Sequence, residues 1–296
     1  MGAQLKEVRN RIKSVQSTQQ ITKAMKMVSA AKLRRAQDHI QQMRPYAEKL
    51  QEVLSNIVSN VDSSEINLNL ATERIVERVL LIVITSDRGL AGAYNSNIIK
   101  AAKAVIADKY PAQFAKGNIT IWNIGKKGYE SLSKQGYKTN ADYKDTFLSL
   151  SFENVQKISA TAMKAFEDGL FDAVEIVYSE FQNAAVQVFK TERFLPIPKI
   201  EKKDAGKGKK ADFIFEPNKE QLIAELMPKI LNTQLYKAVL DAHASEHGAR
   251  MTAMDKASDN ANELLRNLKI SYNRARQAAI TTELTEIVSG AAALNG

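Results

Sequence analysis

The feature that most constrains this fold is a long stretch near the C-terminus without a helix-breaking residue. Ala249 to Ser289 runs 41 residues without Gly or Pro, and small or apolar side chains recur there at alternating steps of three and four. This spacing keeps one narrow seam on the same side of a helix, as a coiled coil requires. The predicted seam residues are Met251, Met254, Ser258, Ala261, Leu265, Leu268, Tyr272, Ala275, Ala279 and Thr282.

A second stretch without breakers lies at the other end of the chain, from Ala3 to Arg44. Two long helices from opposite ends of one chain can pair antiparallel, and the residues between them then form a head. We therefore predict coiled-coil helices over residues 1–60 and 218–289. The second helix is the longer one, so we expect its C-terminal tip to extend beyond the first helix. Along the first helix the apolar steps Leu5, Val8, Ile12 and Val15 give way to the polar residues Gln19 and Thr22.

Residues 75–198 alternate between strand and helix patterns. Val79 to Thr85 is an apolar run typical of a parallel strand buried on both faces. Two later strands, near 172–181 and 184–194, are spaced to form a hairpin. A further strand is predicted at 119–124, and helices are predicted at 95–108, 126–134 and 152–167. The predicted fold is therefore a long antiparallel two-helix coiled coil plus a small Rossmann-like α/β domain.

Positive charge is concentrated in the first helix. Residues 1–35 carry nine basic side chains and one acidic side chain, which gives +8 of the whole chain's +9. A basic helix of this kind needs an acidic partner, and nucleic acid is the usual one. One interpretation is therefore a basic coiled coil that binds nucleic acid. The zipper proteins that bind DNA place a dense basic block before a leucine seam, whereas here the positive charges overlap the seam itself.

The residues that would carry chemistry are sparse. The glycines of Gly89-Leu-Ala-Gly92 and Gly125-Lys-Lys-Gly128 complete neither the dinucleotide fingerprint nor the phosphate-binding loop. We interpret the first turn as structural, with Asp87 and Arg88 capping it and the glycines allowing close packing. His243 and His247 are four apart, but the glutamate and third ligand of a zinc protease are missing, so we interpret them as exposed helix residues. We expect no catalytic, cofactor or metal site, and the chain has no cysteine.

Several stretches closely resemble the gamma subunit of F-type ATP synthase. They are the run Gln19 to Lys32 (QQITKAMKMVSAAK), the turn Ser86 to Leu90 (SDRGL), and the segments Ala249 to Met254 (ARMTAM) and Ile287 to Leu294 (IVSGAAAL). The resemblance covers both termini and the head, in the right order. It implies a central rotor stalk, a non-catalytic subunit that couples ion-driven rotation of the membrane c ring to conformational cycling of the catalytic beta subunits for ATP synthesis.

The resemblance also implies partners and contact residues. The partners are the hexamer of alpha and beta subunits, the epsilon subunit and the c ring, without nucleic acid. By matching positions, the contacts with beta are Met25, Arg250, Gln277, Thr281 and Glu283. The contacts of the foot with epsilon or the c ring are Phe213, Phe215 and Glu216. The +8 segment would then face acidic segments of beta, and the small apolar end of the chain would turn inside a hydrophobic sleeve.

The location follows from the same resemblance. No window of 18 apolar residues occurs in the sequence, so membrane association would come only through the complex. We expect a peripheral protein on the cytoplasmic side of a bacterial plasma or inner membrane.

Overall fold

The computed structural model describes residues 2–59, 69–197 and 219–294. Its contacts divide the chain into two compact units, one formed by residues 1–30 with 250–296 and the other by residues 31–249. The helices in the described residues are α1 (Gly2–Ser59), α2 (Tyr94–Lys109), α3 (Pro111–Ala115), α4 (Lys126–Lys134), α5 (Phe152–Glu167) and α6 (Lys219–Leu294). The strands are β1 (Val79–Ile84), β2 (Ile119–Ile124), β3 (Thr139–Asn140), β4 (Ala173–Phe181) and β5 (Gln187–Leu195).

The unit of residues 31–249 is built on a five-stranded sheet in the order β3-β2-β1-β4-β5. The first four strands in this order are parallel, and β5 pairs antiparallel with β4 as the predicted hairpin. At the hairpin turn, Asn183 Oδ1 accepts hydrogen bonds from the backbone N–H groups of Ala185 and Val186. Chain order reverses between β1 and β4, as in doubly wound folds. The predicted Rossmann-like domain is therefore confirmed.

Alternate side chains of β1 point to two separate cores, and all of them are buried. One face packs against α5 and against part of α6, including Leu231 and Leu235. The opposite face packs against α2 and against Leu132 of α4. A sheet covered on both faces explains why the β1 sequence is continuously apolar rather than alternating.

The predicted elements of the head agree with the structure to within a few residues. The predicted bounds of β2, α4 and α5 match the observed ones, and Ser151 caps α5 by accepting a hydrogen bond from Asn154 N at 3.3 Å. Sequence patterns missed α3, β3 and two 3₁₀ turns at Asn69–Ala71 and Thr146–Ser149. These segments have two to five residues, which is too short for a hydrophobic period to be detected.

In the other unit, α1 and α6 pack against each other as antiparallel helices. The predicted seam is confirmed residue by residue: between Ser258 and Thr282, only the predicted seam residues have side chains that are buried or partly buried. On α1, the same holds between Leu5 and Thr22 for the steps Leu5, Val8, Ile12, Val15, Gln19 and Thr22. The last two residues therefore continue the seam. Residues of α6 accommodate their polar groups, because Gln19 bonds Asn262 and the hydroxyl groups of Thr22 and Ser258 lie together.

Candidate interaction surface

Polar pairs fix the register of the two helices. The hydroxyl groups of Thr22 and Ser258 lie 2.8 Å apart, and both side chains are buried. Lys26 pairs with Asp255 on one side, and Gln19 Nε2 donates to Asn262 Oδ1 further along. Each hydroxyl also bonds a backbone carbonyl of its own helix, Gln19 O or Met254 O. A polar pair inside a seam of small side chains favours one alignment, because a shifted alignment would place each hydroxyl opposite an apolar side chain.

Arg9 extends the same register toward the N-terminus of α1. Its guanidinium donates to Tyr272 Oη at 3.0 Å and lies 5.8 Å from the centre of the tyrosine ring. Among the described side chains of α6, the last partly buried one is Thr282, ten residues beyond Tyr272. All side chains from Glu283 to Ala291 are exposed. The predicted unpaired tip is therefore present within this unit.

The outer face of α1 in this unit is strongly basic. Lys6, Arg9, Arg11, Lys13 and Lys23 are exposed. Apart from Arg9, whose guanidinium contacts Tyr272, these residues lie outside the seam positions, so they are available to attract an acidic surface over several ångströms.

Large apolar side chains are exposed on the same two helices, and sequence patterns did not single them out. On α1 they are Ile21, Met27 and Val28, and on α6 they are Leu264, Ile270, Ile280, Leu284, Ile287 and Val288. Met27 is 67% exposed. A cluster of exposed apolar residues indicates a contact surface, because water solvates such a surface poorly. The signal in the sequence is that these residues are apolar and fall outside the seam spacing.

The predicted contact residues for beta have different environments. Gln277, Thr281 and Glu283 are exposed, and Thr281 Oγ1 donates to the backbone carbonyl of Gln277 at 3.0 Å. Met25 is partly buried, while Arg250 is only 7% exposed. The three exposed residues lie on the C-terminal half of the part of α6 that belongs to this unit. Met25 on α1 and Arg250 on α6 lie near the opposite end of the unit. The predicted foot residues Phe213, Phe215 and Glu216 lie outside the described residues.

In the head, the turn after β1 is held by its own side chains. Ser86 Oγ donates to the carbonyl of Arg88 at 2.6 Å, and Asn95 Oδ1 accepts from Ser86 N at 3.0 Å. Asp87 Oδ1 accepts from the backbone N–H of Lys126 at 3.3 Å, at the first residue of α4. Burial raises the pKa of the Asp87 carboxyl, and the hydrogen bond from Lys126 N partly opposes that rise. The N-terminus of α4 is therefore capped by a carboxylate.

The glycines of the Gly125–Gly128 turn allow close packing, whereas nothing lies within 4 Å of a Cβ atom added at Gly89 of the first turn. A Cβ atom at Gly128 would lie 2.8 Å from both Asn123 Oδ1 and Thr85 Oγ1, and Gly128 N donates to Thr85 Oγ1 at 2.8 Å. Gly125 has a φ of +102°. The backbone of α4 therefore sits directly against the ends of β1 and β2.

Leu90 of the same turn is the exception. It is 65% exposed and has a φ of +64°, a left-handed conformation that is uncommon for leucine. A strained apolar side chain held in water is a candidate contact residue. Sequence reasoning treated this turn as structural and missed it.

The two histidines of α6 are not exposed helix residues, so that interpretation was wrong. His247 is buried, and its Nε2 atom lies 3.1 Å from Nε2 of His243. Phe147 stacks on the His243 ring. The head packs against this part of α6, which sequence periodicity alone could not show. Over residues 2–59, 69–197 and 219–294, no three His, Asp or Glu side chains come together as a metal site.

Comparisons with known proteins agree along the whole chain. The family model described as ATP synthase matches residues 4–294. The chain is 54% identical to the ATP synthase gamma chain of Cytophaga hutchinsonii, with 98% of this chain and 99% of that one covered. It is 51% identical to the ATP synthase gamma chain of Flavobacterium johnsoniae, with 99% and 100% covered. The corresponding protein of Chlorobaculum tepidum is 50% identical, with 98% of each chain covered.

Solved structures show the same fold at lower sequence identity. A chain of the mitochondrial ATP synthase of Euglena gracilis, from a structure of OSCP, F1 and the c ring, matches with a TM-score of 0.67 and 22% identity over 99% of this chain and 95% of that one. A chain from the central stalk and c ring of the Tetrahymena thermophila enzyme matches with a TM-score of 0.55 and 24% identity, over 80% and 99%.

Proposed function

The chain belongs to the ATP synthase gamma chain family, and we propose from this that it is the central rotor stalk of an F-type ATP synthase. It is a non-catalytic subunit, and it couples rotation of the c ring to conformational cycling of the catalytic beta subunits. The observation that carries this conclusion is the identity of about half of all residues to gamma chains over nearly their whole length. These findings do not support the alternative of a coiled coil that binds nucleic acid.

The helical pair has the surface that this role needs. A rotor changes the affinity of each catalytic site only by contacting its different conformations differently. The basic outer face and the exposed apolar side chains give different sides of the helical pair different chemical character. Long-range attraction tolerates a change of register, whereas tightly interlocked side chains would resist rotation. We propose that the basic face meets acidic segments of beta, and that the exposed tip turns within the alpha and beta hexamer.

The individual contacts remain part of this proposal. Gln277, Thr281 and Glu283 are supported by their exposure on the distal part of α6. Met25 and Arg250 rest on their matching positions, and Arg250 is only 7% exposed. Phe213, Phe215 and Glu216 are proposed as contacts with epsilon or the c ring on their matching positions alone.

The location is that of the assembly. The chain is part of a membrane-associated complex. None of the helices in its described residues combines the length and the hydrophobicity of a membrane-spanning segment. We propose that it attaches peripherally on the cytoplasmic side of a bacterial plasma or inner membrane, through the complex.

The direct test of the rotor role is assembly. Co-expression with the alpha and beta subunits of the same enzyme should yield a complex that holds one copy of this chain per hexamer. The purified chain alone should show no ATP hydrolysis. Duplex DNA should not compete with the hexamer at physiological ionic strength. Failure to co-purify, or more than one copy per hexamer, would contradict the proposal.

The contact at Met25 has a sharper test. Met25→Lys should leave the complex assembled but reduce the coupling between proton flow and ATP synthesis in reconstituted vesicles, because a new cation would sit beside the moving segments of beta. Gln20→Lys is the matched control, since it places the same charge on an exposed side chain of α1 that is not among the proposed contacts. Normal coupling in Met25→Lys, or an equal loss in both variants, would remove Met25 from the proposed contacts.

A further inference from the structure

Residues 94–138 of the head are rich in lysine. They carry eight lysines and two acidic side chains, which gives a net charge of +6. Three of the lysines form ion pairs with acidic side chains, namely Lys109 with Glu175, Lys126 with Asp145 and Lys127 with Glu130. Within the described residues, the other five lysines have no ion pair. The remaining acidic side chain, Asp108, is exposed. Most of this positive charge is therefore not neutralised by the head itself.

Four of these five lysines surround an aromatic pair. Phe114 of α3 stacks on Tyr137 with ring centres 5.6 Å apart, and Phe114 is 48% exposed. Lys103 Nζ lies 6.0 Å from the centre of the Tyr137 ring. The other three lysines are exposed and lie within three residues of one of the two rings in the chain: Lys116, Lys134 and Lys138. These six residues form what we call the lysine-aromatic patch.

The lysine-aromatic patch lies at the edge of the sheet where the parallel strands begin. Val79 N, at the start of β1, donates to Asn118 O at 3.0 Å, in the turn that follows α3. Ile121 N of β2 donates to the carbonyl of Lys138 at 2.9 Å. Because β5 pairs antiparallel with β4, it ends on this same edge, at Leu195. The patch and the end of β5 therefore share one edge of the head.

The proposed function directs this edge toward the membrane. Along the chain, β5 leads into the segment that holds the proposed contacts with epsilon or the c ring, Phe213, Phe215 and Glu216. We take the edge at which β5 ends as the side of the head nearest to the c ring. This orientation rests on the proposed function, whereas the composition of the patch does not.

We propose that the lysine-aromatic patch contacts the anionic lipid headgroups of the membrane to which the complex is attached. Lysine ammonium groups are attracted to lipid phosphates, and their flexible stems can lie along an apolar ring while they reach them. Aromatic rings with one exposed edge are favoured at the boundary between headgroups and acyl chains. The contact is weak and decreases with salt, because surface charges are screened. It adds to the attachment through the complex and does not replace it.

Single-stranded nucleic acid is the other common partner of lysines and aromatic rings. It binds by stacking its bases on free ring faces. Here the Tyr137 ring is partly buried, and Phe114 and the ammonium group of Lys103 already lie close to it. A lipid surface needs no free ring face, since it accommodates apolar edges and positive charge together. The patch therefore fits a lipid surface better.

The test uses a tryptophan reporter in the full-length chain. Phe114→Trp places an indole in the patch, and the native Trp122 is only 6% exposed in the head core, so it contributes a constant background. With vesicles of equimolar phosphatidylcholine and phosphatidylglycerol, we expect the emission of Phe114→Trp to shift to shorter wavelength and to be quenched by brominated acyl chains. Vesicles of phosphatidylcholine alone should cause neither change.

A reporter is needed because the basic face of α1 also attracts anionic vesicles, so binding of the chain does not show which surface touches the lipid. Leu148→Trp is the matched control. Leu148 is 72% exposed, in the turn before α5, and α5 packs on the opposite face of the sheet. The emission of this variant should not change on adding vesicles.

The lysines are tested in the Phe114→Trp chain. Changing Lys116, Lys134 and Lys138 together to Gln should raise the lipid concentration at half of the shift by about 100-fold, since each lysine near an anionic surface contributes about five-fold. The same three-charge change on α1, at the exposed residues Lys6, Lys13 and Lys23, should have a smaller effect. Circular dichroism checks that each variant is folded.

Three results would overturn the lipid contact. The first is no shift of Phe114→Trp with anionic vesicles, or an equal shift of Leu148→Trp. The second is the same shift on adding single-stranded RNA, and the third is the same shift on adding the hexamer of alpha and beta without lipid. Co-purification with alpha and beta is measured separately, so a failed lipid contact and a failed rotor role are distinguishable.

Discussion

The head and the helical pair use two different ways of packing. In the head, large side chains such as Ile82 and Phe166 are completely buried between a sheet and its covering helices. In the helical pair, the seam consists of small, apolar and hydroxyl side chains, and most of the other residues of both helices are exposed. The head is thus built for rigidity, while the helical pair keeps most of its surface available for partners. Substitutions in the two units should accordingly have different costs.

The largest loss of stability is expected at Gly125 in the head, where an added side-chain atom would clash with the backbone. A Cβ atom at Gly125 would lie 2.2 Å from the backbone oxygen of Thr85, and the φ of +102° is itself unfavourable for alanine. Gly125→Ala should therefore lower the free energy of unfolding of the head by about 3 kcal/mol or more. Chemical denaturation monitored by the fluorescence of Trp122, which lies in the head core, measures this change.

Gly89→Ala is the control, because nothing lies within 4 Å of a Cβ atom at that position. It should change the unfolding free energy by no more than about 0.5 kcal/mol. Equal effects of the two substitutions would show that the turns at the ends of β1 and β2 are not closely packed, and would weaken the contrast with the helical pair.

A smaller effect is expected in the seam. Leu265 is 7% exposed and its neighbour Leu264 is 40% exposed. Leu265→Ala should destabilise the helical pair by about 2 kcal/mol, at the lower end of the range for buried leucines, because an exposed edge can close around the gap. Hydrogen exchange of the α6 amides between residues 255 and 275 should report this loss.

Leu264→Ala tests whether residues next to the seam contribute to the packing of the two helices. The same chemical change one residue away should leave the exchange rates nearly unchanged. A loss of protection as large as that of Leu265→Ala would mean that the packing surface is wider than one seam.

The pair of Thr22 and Ser258 in the seam should make a still smaller contribution to stability, and this contribution should depend on both hydroxyl groups together. Thr22→Val and Ser258→Ala each remove one of two hydroxyl groups that lie 2.8 Å apart. In a double-mutant cycle the coupling energy should be about 1 kcal/mol, because each single change leaves the other hydroxyl with a poorer partner. Strictly additive effects would show that these hydroxyls do not help to set the register.

The smallest effect concerns the pH dependence of the head. Burial raises the pKa of Asp87 above its ordinary value of 3.8, so the folded chain keeps a proton that the unfolded chain has released. The stability contributed by the Asp87 carboxyl is highest below pH 3.8. It falls as pH rises from 3.8 to the raised pKa of the folded chain. Asp87→Asn keeps an acceptor for Lys126 N and removes the titration. The stability of the variant relative to the unchanged chain should therefore increase with pH through this window and then become constant.

Melting temperatures measured from acidic to neutral pH check this sign. Asp168→Asn, at an exposed aspartate just after α5, is the matched control for removal of one carboxyl group. A relative stability of Asp87→Asn that falls with rising pH would mean that hydrogen bonding to the carboxylate outweighs its burial.

Sequence patterns were most informative where one period runs over many residues. The seam from Ser258 to Thr282 could be predicted position by position, because a narrow coiled-coil seam makes burial depend on spacing alone. The polar residues Gln19 and Thr22 could not be assigned to it, since their burial depends on which residues of the other helix lie opposite. Short segments such as β3 escaped prediction because two residues have no period.

The site could be predicted only in part. Charge composition alone indicated that α1 would present a basic face, and the quoted motifs identified the family. Neither could show that Arg250 and His247 are buried, or that Leu90 is exposed in a left-handed conformation, because these properties arise from contacts between residues distant in the chain.

The sequence by itself therefore determined the two long helices, their seam, the buried parallel sheet and the excess of positive charge. Each of these follows from local spacing or composition. Tertiary structure alone decided which polar groups pair across the seam, that Asp87 caps α4, and that His243 and His247 face each other beside Phe147. The physical reason is that these features depend on distances between segments, and local sequence does not specify such distances.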